Sequence, residues 1–297
     1  MTNRIIIGDS QKMAELPDKS AHLVVSSPPY FNAPFDTPGL FDSYDAFLKT
    51  MRNVIAEVKR VLDDGRIVAY VVDDIIVDGV KFPIVADVTR IFIEQGFKYR
   101  ERIPWLKPEG YIRISRRSGS VVKHPFPMYC YFDNCSESIL IFQNGSFNYR
   151  KIPQELRDLS RIDLEEFQRE KWYLGFWKIT NVLPSNNEME KGVAAFPEEI
   201  PYRLIKLYSY KGETVLDPFA GSGTTLKVAI ALGRKCVGYE LDLELLETIK
   251  AKVAQAGPDG TRPDTEITVR DDARKLRTQL LENVERRMTK HDRAGKA

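Results

Sequence analysis

Thr214-Val215-Leu216-Asp217-Pro218-Phe219-Ala220-Gly221-Ser222-Gly223-Thr224-Thr225 joins a β-rich run to a helical one. Thr214 to Leu216 reads as a strand, Thr224 to Leu232 as a helix closed by Gly233, and Lys235 to Tyr239 as a second strand that runs into Glu240. Gly221 and Gly223 let the chain turn tightly and approach a ligand, and the N-terminus of the helix offers N–H groups to an anionic group. The stretch is not a phosphate loop, because no lysine precedes Thr224. As a dinucleotide fingerprint it is incomplete, with Leu226 where a third glycine would fall. A strand, a glycine turn, a helix, a strand and an acid describe half of a nucleoside-cofactor site, in which Glu240 accepts both hydroxyls of a ribose.

Outward from this unit, the same alternation of strand and helix predicts an α/β fold with a mostly parallel sheet. Arg4 to Ile7, His22 to Val25, Arg66 to Val72, Phe97 to Ile103 and Ser138 to Phe142 read as strands. Asp42 or Ser43 caps a helix whose apolar residues run from Tyr44 to Leu62 at helical spacing, with Gly65 as its stop. Pro83 suits the first turn of a second helix, closed by Gly96. The pattern breaks between about Pro108 and Pro184, which is rich in arginine, serine, aromatics and turn residues. This stretch reads as an insertion or small second lobe, with a mostly polar helical piece from Asp163 to Trp172.

Composition sets the limits. In 297 residues, 43% hydrophobic and 29% charged usage excludes disorder, collagen-like and coiled-coil architectures. Apolar runs such as Ile67 to Val72 fall far short of the ~20 residues a membrane span needs. With no signal-peptide stretch at the N-terminus, a cytoplasmic, soluble protein is expected. Three cysteines and three histidines meet no zinc spacing, so no metal site is expected. A net charge of +2 hides two basic stretches. Arg100 to Lys123 holds seven Lys/Arg against two Glu, and Arg270 to Ala297 nine Lys/Arg against five Asp/Glu. Both suit contact with a polyanion.

The strand His22 to Val25 runs into Ser26-Ser27-Pro28-Pro29-Tyr30-Phe31. Two prolines make the turn rigid, and its carbonyls have no N–H partners of their own there. Ser27 adds a hydroxyl acceptor and Tyr30 a flat ring, a constellation suited to an aromatic amine. The alternative is a strand-ending turn with an aromatic packed into the core.

The Ser27-Pro28-Pro29-Tyr30 turn resembles the catalytic motif of the DNA methyltransferases that methylate amino groups. Asp217 to Thr225 resembles their S-adenosylmethionine loop, and Tyr239-Glu240 the acidic end of the following strand. Ala194 to Pro201 resembles the segment before that loop, and Gly8-Asp9 a further strand end of the cofactor site. The catalytic turn precedes the cofactor loop, an order similar to the permuted β group. The resemblance implies a Rossmann-like methyltransferase fold with S-adenosylmethionine as cofactor. Ser27, Pro28, Pro29 and Tyr30 would act on a base flipped out of double-stranded DNA, with Tyr30, and in one variant Phe31, stacking on it. Glu240 would hold the ribose and Asp9 the adenine amine. Phe196, Pro197, Asp217, Phe219, Gly221, Ser222, Gly223, Thr224 and Thr225 would surround the rest of the cofactor. Serine at the first position of the turn favours cytosine N4 over adenine N6. A non-catalytic nucleotide- or DNA-binding module is the rival from another class.

The same resemblance divides the chain into a catalytic part (1–107), a target-recognition insertion (108–184, with a core strand near 137–142), a cofactor part (185–260) and a basic C-terminal extension (261–297). Arg113, Arg116, Arg117 and Lys123 in the insertion are the expected DNA contacts, reading phosphates or a guanine edge. Ile267 to Asp272 reads as a strand ending in acids that competes with Ile5 to Asp9 for the adenine place. After it, Ala273 to Met288 forms an amphipathic basic helix that packs on the body, pairs with a second subunit or lies on DNA. The expected partners are DNA and, as a candidate, a cognate restriction endonuclease, with the chain a monomer or homodimer and no membrane involved.

Overall fold

The computed structural model describes residues 2–33, 37–108, 126–127, 135–181, 195–257, 261–276 and 278. Among them the chain forms, in order, β1 (Asn3–Ile7), β2 (Ala21–Ser26), α1 (Tyr44–Val61), β3 (Leu62–Val72), β4 (Ile75–Val77), β5 (Val80–Phe82), α2 (Ile84–Glu94), β6 (Lys98–Leu106), β7 (Ser136–Gln143), α3 (Gln154–Leu159), α4 (Leu164–Arg169), β8 (Trp177–Lys178), α5 (Glu199–Tyr208), β9 (Thr214–Asp217), α6 (Thr224–Ala231), β10 (Lys235–Glu240), α7 (Leu246–Ala254) and β11 (Thr265–Val269). Nine strands make one sheet in the order β11-β1-β10-β9-β2-β3-β7-β6-β8, and β4-β5 is a separate hairpin. β7 runs antiparallel to both its neighbours, and the other pairs of the large sheet are parallel.

Strand alternation splits the apolar residues between two cores. Ile6, Val24, Val68, Tyr70 and Val72 face α1 and α2 on one side, while Ile5, Ile7, Leu23, Val25, Ile67, Ala69 and Val71 join α5, α6 and α7 on the other. A sheet covered on both faces explains why its central strands are near-continuous apolar runs. β7 and β8 belong to this platform, and Trp105, Trp172, Trp177 and Ile179 are buried in it. The stretch read as an insertion thus contributes two strands to the sheet.

Two local readings change. α1 runs directly into β3, so Gly65 is no helix stop but sits inside the strand at φ +80°. A Cβ there would strike the backbone of Ser146 and Phe147. The Gly65 N–H donates to the Asn144 carbonyl, and the Asn144 side chain donates to the Leu62 carbonyl at 2.8 Å. The glycine therefore serves the close approach of the turn after β7. Pro83 is the residue before α2 rather than inside its first turn. Gly96 and Gly233 close their helices as read, each with the paired hydrogen bonds of a left-handed stop (Phe97 to Phe92 and Arg234 to Ala229).

Gly238 explains how the second cofactor strand works without a third glycine in the loop. A Cβ at this position would lie 2.6 Å from Leu226 Cδ1 and 3.2 Å from Ala220 Cβ, so the missing side chain lets α6 press onto β10. Gly238→Ala is expected to lower stability by about 1–3 kcal/mol through overpacking. Denaturant unfolding checks this, and an unchanged midpoint would mean that Leu226 swings aside freely.

Candidate active site

β2 and β9 are hydrogen-bonded neighbours, with Leu23 opposite Val215 and Val24 opposite Leu216. The turns that follow them therefore leave the same end of the sheet side by side. Ser26 Oγ donates to Asp217 Oδ1 at 2.5 Å, and the Phe219 N–H donates to the same oxygen at 3.1 Å. The Thr225 hydroxyl donates to the Val25 carbonyl at 3.4 Å. Ser26, Asp217 and Thr225 are all buried. Burial pushes the Asp217 carboxyl up to about 6, against the hydrogen bonds it accepts. Asp217 therefore ties the two turns together from beneath, and Ser26 is its partner. Ser27 is left half-buried at the surface of the turn.

Glu240 ends β10, next along the sheet. Its Oε2 accepts the Gly221 N–H at 2.8 Å and its Oε1 the Asp242 N–H at 2.9 Å. A carboxylate has about four lone-pair positions, so two bonds leave acceptor capacity on both oxygens. Burial, its largest influence, raises this carboxyl to about 7. The Gly8 N–H donates to the Glu240 carbonyl at 2.7 Å, which brings Asp9 to the same corner. The Asp9 carboxylate accepts from the Gln11 N–H at 2.9 Å and from Gln11 Nε2 at 2.8 Å. Because β1 pairs with β11, Asp272 is not a rival in another place: its Oδ1 accepts the Asp9 N–H at 3.4 Å.

Not every residue of the glycine turn faces this corner. Lys252 Nζ on α7 donates to Ser222 Oγ at 2.7 Å and Thr224 Oγ1 at 3.2 Å, so both hydroxyls point to the helix layer. Pro197 is buried and Phe196 half-buried. Lys227, in the first turn of α6, binds Glu198 at 2.6 Å and so draws Phe196 and Pro197 toward the N-terminal end of that helix.

On the other turn, Tyr30 Oη donates to Glu137 Oε2 at 2.8 Å, and Glu137 is paired with Lys107. The Thr37 hydroxyl donates to the Tyr30 carbonyl at 2.7 Å and stiffens the segment. Burial, followed by the Glu137 charge, pushes the Tyr30 phenol well above its ordinary range, so it stays protonated. Phe31 does not join it: at 6% exposure its ring packs among Tyr44, Phe47 and Phe82, and it belongs to the core. Arg113, Arg116, Arg117 and Lys123 lie outside the described residues. Among the described residues no group of three His, Cys, Asp or Glu is placed to hold a metal, and no helix is long and apolar enough to cross a membrane.

A family model described as DNA methylase, for N6 and N4 methylation, matches residues 21–251, a span that begins before the Ser-Pro-Pro-Tyr turn and ends beyond Glu240. The chain belongs to this DNA methylase family. Among the methylase's relatives is the type II methyltransferase M.MjaI of Methanocaldococcus jannaschii, 34% identical over 84% of this chain and 91% of that one. The DNA adenine methyltransferase YhdJ of Escherichia coli is 28% identical over 82% of this chain and 80% of its own length. The structure of a DNA modification methylase from Thermus thermophilus, TTHA0409, complexed with S-adenosyl-L-methionine, superposes with a TM-score of 0.71 at 32% identity, covering 90% of this chain and 98% of that one. The methylase is an S-adenosylmethionine-dependent DNA methyltransferase with the fold of that family. The donor set suits the cofactor: Glu240 supplies the paired acceptors a ribose diol needs, and Gly221 beside it carries no side chain.

Sequence reasoning missed Ser26 as the partner of Asp217, Gly238, and the Glu137–Lys107 pair. Only the Gly238 signal was local, as a small residue opposite Leu226 in a strand–turn–helix–strand unit. The others join positions far apart in the chain and become neighbours through strand register.

Proposed function

We propose that this methyltransferase methylates the exocyclic N4 amine of cytosine, flipped out of duplex DNA. The observation that carries the reading is Ser27, half-buried at the head of its rigid turn while Ser26 behind it is tied to Asp217 of the cofactor loop at 2.5 Å. The exocyclic amine is a poor nucleophile because its lone pair is delocalised into the ring. The Ser27 hydroxyl and the Pro28 carbonyl accept its N–H bonds and draw the lone pair out of conjugation. Pro29 keeps that geometry rigid, and the Tyr30 ring stacks on the base. When bound, the cofactor supplies a methyl group already activated by its positive sulfur. Glu240 holds the ribose and Asp9 the adenine amine. Phe196, Phe219 and the Gly221–Thr225 turn enclose the methionine end, while Asp217 fixes the loop from below. The amine sheds one proton as the N–CH₃ bond forms. Arg113, Arg116, Arg117 and Lys123 serve the DNA phosphates and base edges. Likeness to type II methyltransferases supports a role beside a restriction endonuclease of the same recognition sequence.

Adenine N6 is the second reading, favoured by the likeness to an adenine methyltransferase. Incubation with methyl-labelled cofactor and unmethylated genomic DNA, followed by digestion to nucleosides, separates the two. Label is expected in N4-methylcytosine. Label in N6-methyladenine replaces the first reading with the second, and no label in any nucleoside removes both.

A further inference from the structure

The catalytic turn has an anchor outside the turn itself, on the neighbouring hairpin. β6 and β7 pair antiparallel up to Leu106 and Ser136, and one further rung follows, with the Lys107 N–H donating to the Cys135 carbonyl at 2.9 Å. Just at this rim Lys107 and Glu137 form an ion pair, each side chain 14% exposed. The Lys107 ammonium lies 4.9 Å from the centre of the Trp105 ring, and Trp105 is fixed by its own Nε1 donating to the Ile179 carbonyl at 2.8 Å. The second oxygen of Glu137 accepts the Tyr30 hydroxyl at 2.8 Å.

Hydrogen-bond polarity follows from this arrangement. An ionised carboxylate only accepts, and Lys107 keeps Glu137 ionised, so the one proton of the Tyr30 hydroxyl points at Glu137. The Tyr30 oxygen is then left as an acceptor. The Ser27 hydroxyl lies within its reach and favours negative charge on it, as a donor does. With its single proton directed at Tyr30, Ser27 turns its lone pairs to the open side of the turn. An exocyclic amine arriving there meets an acceptor and never a competing O–H donor.

We infer that Glu137, held by Lys107, is a positioning residue that sets the proton order Ser27→Tyr30→Glu137 and so commits Ser27 to accepting the target amine. The inference rests on the proposed catalytic role of Ser27. It deepens that role, because serine is ambivalent as donor and acceptor and needs an external device to fix which it is. Lys107 and Glu137 also stand at the two stems of residues 108–135, so the stretch that carries Arg113 to Lys123 is joined directly to the catalytic turn.

Glu137→Gln tests it, because the amide can donate to the Tyr30 oxygen and reverse the order. Tyr30→Phe supplies the second side of a double-mutant cycle, since without the phenol hydroxyl Glu137 has nothing to order. The readouts are kcat with tritiated S-adenosylmethionine on methylation-free genomic DNA, and the cofactor Kd by calorimetry. Glu137→Gln is expected to lower kcat about 10- to 100-fold in the wild-type background and less than about 3-fold in the Tyr30→Phe background. The cofactor Kd should stay within about 2-fold throughout, which also shows that each variant is folded. Equal losses in both backgrounds, no loss in either, or a parallel loss of cofactor affinity would overturn the proton-order role. Ser27→Ala separates the two levels. A Ser27→Ala enzyme of wild-type rate overturns the reading of the turn itself, whereas an inactive one combined with additive Tyr30 and Glu137 effects overturns the ordering alone.

Discussion

Ser27→Ala lowers methyl transfer to DNA by roughly 10²–10³-fold and leaves the affinity for S-adenosylmethionine within about 2-fold of wild type. The asymmetry follows from where the two serines of the turn lie. Ser26 is fully buried and bonded to Asp217, so it is part of what holds the cofactor loop. Ser27 is half-buried, and the turn's stiffness comes from Pro28, Pro29 and the Thr37 bond to the Tyr30 carbonyl. Removing the Ser27 hydroxyl deletes an acceptor for the reacting amine without releasing the turn. Ser26→Ala is the contrast: it leaves the buried Asp217 short of a donor and is expected to lower stability and cofactor affinity together. Filter-bound tritium on DNA and calorimetry with cofactor alone measure the two quantities. A folded Ser27→Ala protein that loses both in equal measure would make the turn a structural element.

Glu240→Ala raises the cofactor Kd by about 10- to 100-fold, the loss expected when charge-assisted hydrogen bonds of about 1.5–3 kcal/mol are removed. At saturating cofactor the rate falls much less, because Glu240 touches the ribose and not the reacting atoms. The wild-type pH profile tests the same assignment without a mutation. Burial raises the Glu240 carboxyl to about 7 in the free protein, and the ribose hydroxyls donate to its ionised form. Cofactor affinity is therefore level above pH 8, falls as pH drops through 7, and binding near neutrality releases protons. The sign for folding is the reverse. A carboxyl whose folded value lies above its unfolded one binds protons more tightly when folded, so its contribution to stability falls as pH rises toward 7. Asp217, raised to about 6, acts in the same direction over a slightly lower range. Unfolding midpoints of the cofactor-free protein should accordingly drop between pH 5 and 8, while cofactor restores stability most strongly at the upper end. Unchanged affinity in Glu240→Ala, or a flat affinity profile between pH 6 and 8, would remove Glu240 from the ribose.

Much of the cofactor half was legible because its signals are local. Strand, glycine turn, helix and acid lie within Thr214–Glu240, and each residue type is dictated by a backbone need that one segment expresses by itself. Helix stops at Gly96 and Gly233 are readable for the same reason, since a left-handed residue is required wherever the chain turns back. Gly65 has the same conformation, yet its cause is the backbone at residues 146–147, some eighty positions away, and the local pattern suggested a helix end. Phe31 likewise sits beside Tyr30 in the chain but faces the opposite way, into rings carried by α1 and β5. Asp9 and Asp272 were indistinguishable as alternatives until the pairing of β1 with β11 made them neighbours.

The amino-acid sequence alone determined the two chemical ends of this methyltransferase, a rigid Ser-Pro-Pro-Tyr turn and a glycine loop followed by an acid, because the character of each is set by covalent geometry and by residues in immediate succession. Tertiary structure alone decided that Ser26 serves Asp217 while Ser27 faces outward, and that Tyr30 answers to Glu137 and Lys107. Those choices depend on strand order and register, through which residues more than a hundred positions apart come within hydrogen-bonding distance, and no pattern along the chain records which of two adjacent side chains a parallel sheet turns inward.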